Sequence, residues 1–78
     1  MPENSNRTLA DNLRAFRAER GWSQEEFADR CGLHRTYIGA IERGERNVTL
    51  NTLNNIASAL GISSAELISE SRRAKNQK

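Results

Sequence analysis

Seventy-eight residues, 36% of them hydrophobic and 28% charged, suffice for one domain that buries roughly 60% of its unfolded surface, which is too little for a large catalytic cleft. Twelve cations against ten acids leave a net charge of +2, but the tail from Arg72 to Lys78 holds four of those cations and no acid, so any anionic partner of the rest must meet a local basic face. One cysteine excludes an internal disulfide, no apolar run approaches the roughly 20 residues of a bilayer span, and the start MPENSNRTLA has no apolar signal region, so the chain is expected to stay in the cytoplasm.

Residues 1–6 are polar and are expected to form a flexible N-terminus. Leu9, Leu13 and Phe16 recur at i, i+4, i+7 and predict a first helix ending near Gly21. Ser23 and Glu26 then have the spacing of a reciprocal capping box, so a second helix should begin at Gln24, with Trp22 and Phe27 placed as a hydrophobic staple. Phe27, Ala28 and Cys31 share one face. Gly32 supplies the left-handed conformation that ends this helix, and Leu33 opens a turn.

A third helix is predicted from His34 to Arg43. Ile38 and Ile41 lie on its inner side, while Thr36, Ala40 and Arg43 lie opposite. Gly39 and Ala40 add little bulk, so the helix axis is expected to approach another surface closely, with Arg35 and Thr36 reaching forward from the first turn. Such a helix is shaped to enter a groove. After Gly44 a loop runs from Glu45 to Val48, and Thr49 caps a fourth helix bearing Leu50, Leu53, Ile56, Ala57 and Leu60, stopped at Gly61. Ser63 and Glu66 repeat the box, with Ile62 and Leu67 as staple, before a short fifth helix. The expected organisation is an all-α, compact five-helix domain over residues 7–71 followed by a loose basic tail, 72–78.

The marks Gln24, Phe27-Ala28, Gly32-Leu33, Ile38, Ile41-Glu42 and Gly44 resemble the helix-turn-helix of the Cro and phage-repressor type, the XRE family, over about residues 8–70. More narrowly, His34-Arg35-Thr36-Tyr37-Ile38 and the run from Ile41 to Leu50 look like the controller proteins of bacterial restriction-modification systems. The resemblance implies a dimeric, sequence-specific binder of double-stranded DNA that regulates transcription. A homodimer on a palindrome would place two reading helices about 34 Å apart. RNA polymerase is a further candidate partner. An antitoxin-like protein that neutralises a partner and represses its own operon is the alternative reading.

Arginine's planar fork matches O6 and N7 of guanine, so Arg35 is the leading base reader. Thr36 can meet a base edge or a thymine methyl, and Arg46 is placed by the resemblance to enter a groove. Ala40 offers only a methyl group, which shifts weight to DNA shape. Gln24, with the N–H groups that start the second helix, matches the family's phosphate clamp. There Glu25 and Glu26 must be occupied elsewhere or point away. Arg43 and Asn47 are placed to hold the DNA backbone. Tyr37 has two readings, a phosphate-donating hydroxyl or a part-buried ring. The resemblance also implies a structural ion pair between Arg17 and Glu42. Ile62, Leu67 and Ile68 either build a dimer surface or close the monomer core.

Other chemistries lack their residues. Cys31 and His34 are the one cysteine and one histidine, against the four ligands usual in structural zinc sites, and Cys31 reads as a small buried hydrophobe. His34, near a helix cap, is either a phosphate contact or a surface residue. No glycine-rich phosphate cradle or catalytic triad is present, so neither an enzyme nor a cofactor is expected. Four aromatic residues, two of them assigned to a staple, are few for RNA stacking. No small-molecule effector is expected.

Overall fold

A computed structural model describes the backbone of residues 2–70 and the side chains of residues 7–70. Its order is α1 (Pro2–Arg20), α2 (Gln24–Cys31), α3 (Arg35–Glu42), α4 (Leu50–Leu60) and α5 (Ser64–Leu67). The all-α, five-helix expectation agrees with these described residues. Helix α1 starts at Pro2, earlier than the apolar repeat suggested, so residues 2–6 have helical backbone. Proline is tolerated in a first turn because its missing N–H would have no intrahelical partner there. The basic tail expected over 72–78 lies outside the described residues.

Caps set the helix boundaries. Ser23, Thr49 and Ser63 each accept a hydrogen bond from the third residue on, at 3.0, 3.1 and 3.0 Å. Gly32 (φ 71°) and Gly61 (φ 74°) end α2 and α4 in the left-handed region, and Leu33 and Ile62 donate back to the carbonyls of Ala28 and Ala57. The α2 box is made one way only. The Glu26 carboxylate turns along the helix to Arg30, 3.0 Å away, instead of reaching back to Ser23. The staple is present: the Trp22 and Phe27 ring centroids are 5.9 Å apart.

All five helices contribute to one core. Leu13, Phe27, Ile38, Ile56 and Leu67 are fully buried, and Cys31 joins them. Leu67 therefore belongs to the monomer core, the second of the two readings given for it. Ile62 packs against the core while partly exposed, and Ile68 is 49% exposed. Leu50, expected with the apolar set of α4, is 70% exposed, because in the first turn of that helix nothing covers it.

Helix α1 is the element to which the others are tied. Asn12, wholly buried, donates to the carbonyls of Leu67 (2.8 Å) and Ser69 (3.0 Å) at the end of α5. Arg20 donates to the Leu60 carbonyl at the end of α4 over 2.7 Å, with its guanidinium 5.5 Å from the Phe16 ring and 5.7 Å from the Trp22 ring. Arg14 donates to the carbonyl of Glu42, the last residue of α3, where a cation complements the helix dipole.

Candidate nucleic-acid interface

The inner side of α3 is fixed by Ile38 and Ile41, so its first turn and opposite side face outward. Arg35 and Thr36 are exposed there, and Ala40 is half-buried behind them. His34 is the N-cap: its Nδ1 accepts from the Thr36 N–H at 3.2 Å and lies 2.8 Å from Thr36 Oγ1. Glu25, Asp29, His34 and Arg35 line one cleft between α2 and α3.

Glu42 ties the motif together from beneath. Its side chain is 3% exposed and accepts from Arg17 Nε (2.7 Å), Arg17 Nη2 (3.0 Å) and Gln24 Nε2 (2.9 Å). A bidentate arginine and an amide satisfy a carboxylate that would otherwise be stranded in the interior. Arg17 Nη1 also donates to the Trp22 carbonyl at 3.0 Å, so one guanidinium spans α1, the turn before α2 and the end of α3. The pair implied by resemblance, Arg17 with Glu42, is thus present, and Gln24 is drawn into it.

Gly39 does not face outward as expected. It is buried, and a Cβ placed on it would lie 3.6 Å from Gln24 Oε1 and 3.3 Å from Arg43 Nη1. Gln24 packs over Gly39 at ordinary contact distance on its way to Glu42, so Gly39 serves contact within the protein.

The remaining candidates lie beyond α3. Arg46 places its guanidinium 5.0 Å from the centroid of the half-buried Tyr37 ring, which gives Tyr37 a role for its face and leaves its hydroxyl free of that role. Arg43 caps α3 and pairs with Glu45 at 3.1 Å; both side chains are more than half exposed, so the pair is weak. Asn47 is exposed in the loop before α4. Glu26 is occupied by Arg30, whose guanidinium lies 4.4 Å from the Trp22 ring centroid. Among the described residues no group of three or more His, Cys, Asp or Glu side chains could hold a metal ion, and no helix is long and apolar enough to cross a membrane.

Helices α2 and α3 are joined through a left-handed glycine and bolted by one carboxylate. The helix-turn-helix family HTH_3 matches residues 13–67. The chain belongs to this family. Helix-turn-helix proteins of this XRE type are DNA-binding transcription regulators. Among its relatives is a hypothetical transcription factor of Neisseria meningitidis serogroup B, 48% identical over 60 residues, which are 77% of this chain and 57% of that protein. This chain therefore spans less than two thirds of that relative's length. Control protein C.SmaI of Serratia marcescens is 53% identical over 60 residues, 77% of this chain and 71% of that protein. The crystal structure of the restriction-modification controller protein C.AhdI from Aeromonas hydrophila superposes with a TM-score of 0.76 at 42% identity, covering 80% of this chain and 94% of that one.

Three members of the helix-turn-helix scaffold escape sequence reasoning: Asn12, Arg14 and Arg20. Each reaches a backbone carbonyl of another helix, at separations of 55, 28 and 40 residues, and no local spacing signals such a bond. The position of His34 marks it as a cap residue, whereas its contact with the Thr36 hydroxyl has no local sequence signal.

Proposed function

We propose that this helix-turn-helix protein is a sequence-specific regulator that binds double-stranded DNA as a homodimer on an inverted repeat, in the manner of a restriction-modification controller. The observation that carries this reading is the exposed first turn of α3, with Arg35 and Thr36 outward, on a helix held from beneath by the Arg17–Glu42–Gln24 network. Named likenesses to C.SmaI and C.AhdI support the controller class.

In this reading α3 lies in the major groove, where Arg35 reads guanine and Thr36 meets a neighbouring base edge. The N-terminus of α2 and the second amide hydrogen of Gln24 face a phosphate, since one hydrogen already serves Glu42. Tyr37, Arg43 and Asn47 hold the backbone, and Arg46 reaches a groove from its seat on Tyr37. Dimer contacts come from Ile68 and Ile62, with Leu67 supporting them from the core. Control is exerted on RNA polymerase in the cytoplasm, without catalysis, cofactor or small-molecule effector.

Selection from a random duplex pool at about 150 mM salt, where unspecific phosphate attraction is weakened, tests the reading. Enrichment of an inverted repeat is expected. Folded protein that enriches no motif would overturn it, as would sedimentation that finds only monomer with and without DNA.

A further inference from the structure

His34 and Thr36 form a closed pair at the start of α3. The Thr36 backbone N–H, 3.2 Å from His34 Nδ1, can only donate, so Nδ1 offers its lone pair and the neutral imidazole carries its proton on Nε2. An unprotonated Nδ1 has nothing to give the hydroxyl. In that tautomer the 2.8 Å contact between Thr36 Oγ1 and Nδ1 is Thr36 O–H donating to His34, so the one lone pair of Nδ1 is shared by the Thr36 N–H and O–H in a bifurcated bond. A threonine hydroxyl has one proton and two acceptor lone pairs. With its proton held inward, Oγ1 presents only lone pairs to the outside.

We infer that His34 fixes the hydrogen-bond polarity of Thr36 and so acts as a specificity-determining residue. In the major groove Thr36 accepts from an exocyclic amine, adenine N6 or cytosine N4, and is denied the acceptor edges of guanine (O6, N7) and thymine (O4). This rests on the reading of Thr36 as a base reader. The threonine methyl remains free to pack on a thymine methyl, a contact that valine would keep.

Two measurements test the inference. In the free protein at mildly alkaline pH, imidazole nitrogen–proton correlation spectra should show the Nε2–H tautomer of His34; an Nδ1–H tautomer overturns the assignment whatever DNA does. Duplex selection is then run with the wild type, Thr36→Val, His34→Ala and His34→Asn, each checked for folding by thermal melting. The wild type should favour an amine-bearing base by about fivefold at a position where Thr36→Val loses that preference. His34→Ala frees the hydroxyl to turn and should admit guanine or thymine there, while His34→Asn restores an acceptor at the cap and recovers the preference. If Thr36→Val alters the selected motif and His34→Ala does not, the coupling fails and Thr36 remains a reader. If Thr36→Val leaves the motif unchanged, the reader assignment fails and the inference with it.

Discussion

Gln24 at the start of α2 donates to the buried Glu42 carboxylate at the end of α3 over 2.9 Å, passing the side-chain-free surface of Gly39 on the way. In the proposed reading, the residue that meets a phosphate is thereby hydrogen-bonded to the helix that reads bases.

Glu42→Ala should destabilise the fold by about 3–5 kcal/mol, because it strands the Arg17 guanidinium against a lost partner. Gln24→Ala removes one hydrogen bond from a residue that is itself exposed, and its cost should be near 1 kcal/mol. Urea denaturation measures both. Equal costs would show that the carboxylate is not the hub.

Gly39→Ala should raise stability by up to about 1 kcal/mol, the helix-propensity gain of alanine over glycine. The new Cβ meets first the tip of Arg43, a side chain 60% exposed and able to move, rather than backbone. A loss of stability in thermal melting would mean that the Gln24 crossing tolerates no added atom.

Asn12→Asp should be more damaging than Asn12→Ala. The alanine leaves the Leu67 and Ser69 carbonyls without their donor, at about 1–3 kcal/mol each, whereas the aspartate turns a charge on them. A carboxylate so placed is protonated more readily folded than unfolded, so the extra penalty should shrink as pH falls. Denaturant midpoints of the two variants at neutral and acidic pH provide the check.

Burial pushes the Cys31 thiol from its ordinary 9.0 up to about 11. At neutral pH it stays protonated and should resist alkylation until the protein unfolds. As pH rises past 9.0 the unfolded chain loses the thiol proton while the native state keeps it, so stability falls towards pH 11, by up to about 3 kcal/mol. The difference between wild type and Cys31→Ala, followed against pH, isolates this contribution. A flat difference would refute it.

Arg35→Ala should cost about 1–3 kcal/mol per lost base contact and relax preference at one position in each half-site. Arg46→Ala separates two roles for its guanidinium. A groove contact loses sequence preference, whereas a phosphate contact weakens all sequences together and lowers the salt slope by about one. The groove outcome is expected from the resemblance that assigns Arg46 to a groove. Competition binding over a salt series distinguishes them.

What could be read from sequence follows the distance between partners. Caps at Ser23, Thr49 and Ser63 and stops at Gly32 and Gly61 were legible because donor and acceptor lie within a turn of each other. Arg17 and Glu42 came from family resemblance, since nothing at a separation of 25 residues marks a pair. Two local readings failed because neighbours competed. Glu26 had both a cap N–H and Arg30 within reach and took the charge, and Gly39 had both an outer surface and Gln24 to serve. Leu50 and Leu67 show the limit of periodicity: both are leucines on apolar stripes, yet one lies past the edge of the core and the other at its centre.

Helix α1 touches the end of α3 through Arg14 and Arg17, the end of α4 through Arg20 and the end of α5 through Asn12. It holds three helix ends in place, so the chain cannot be divided at the motif. A peptide carrying only α2 and α3 would hold every expected DNA contact except Arg43, Arg46 and Asn47, yet would lack the grip that sets the angle between its two helices.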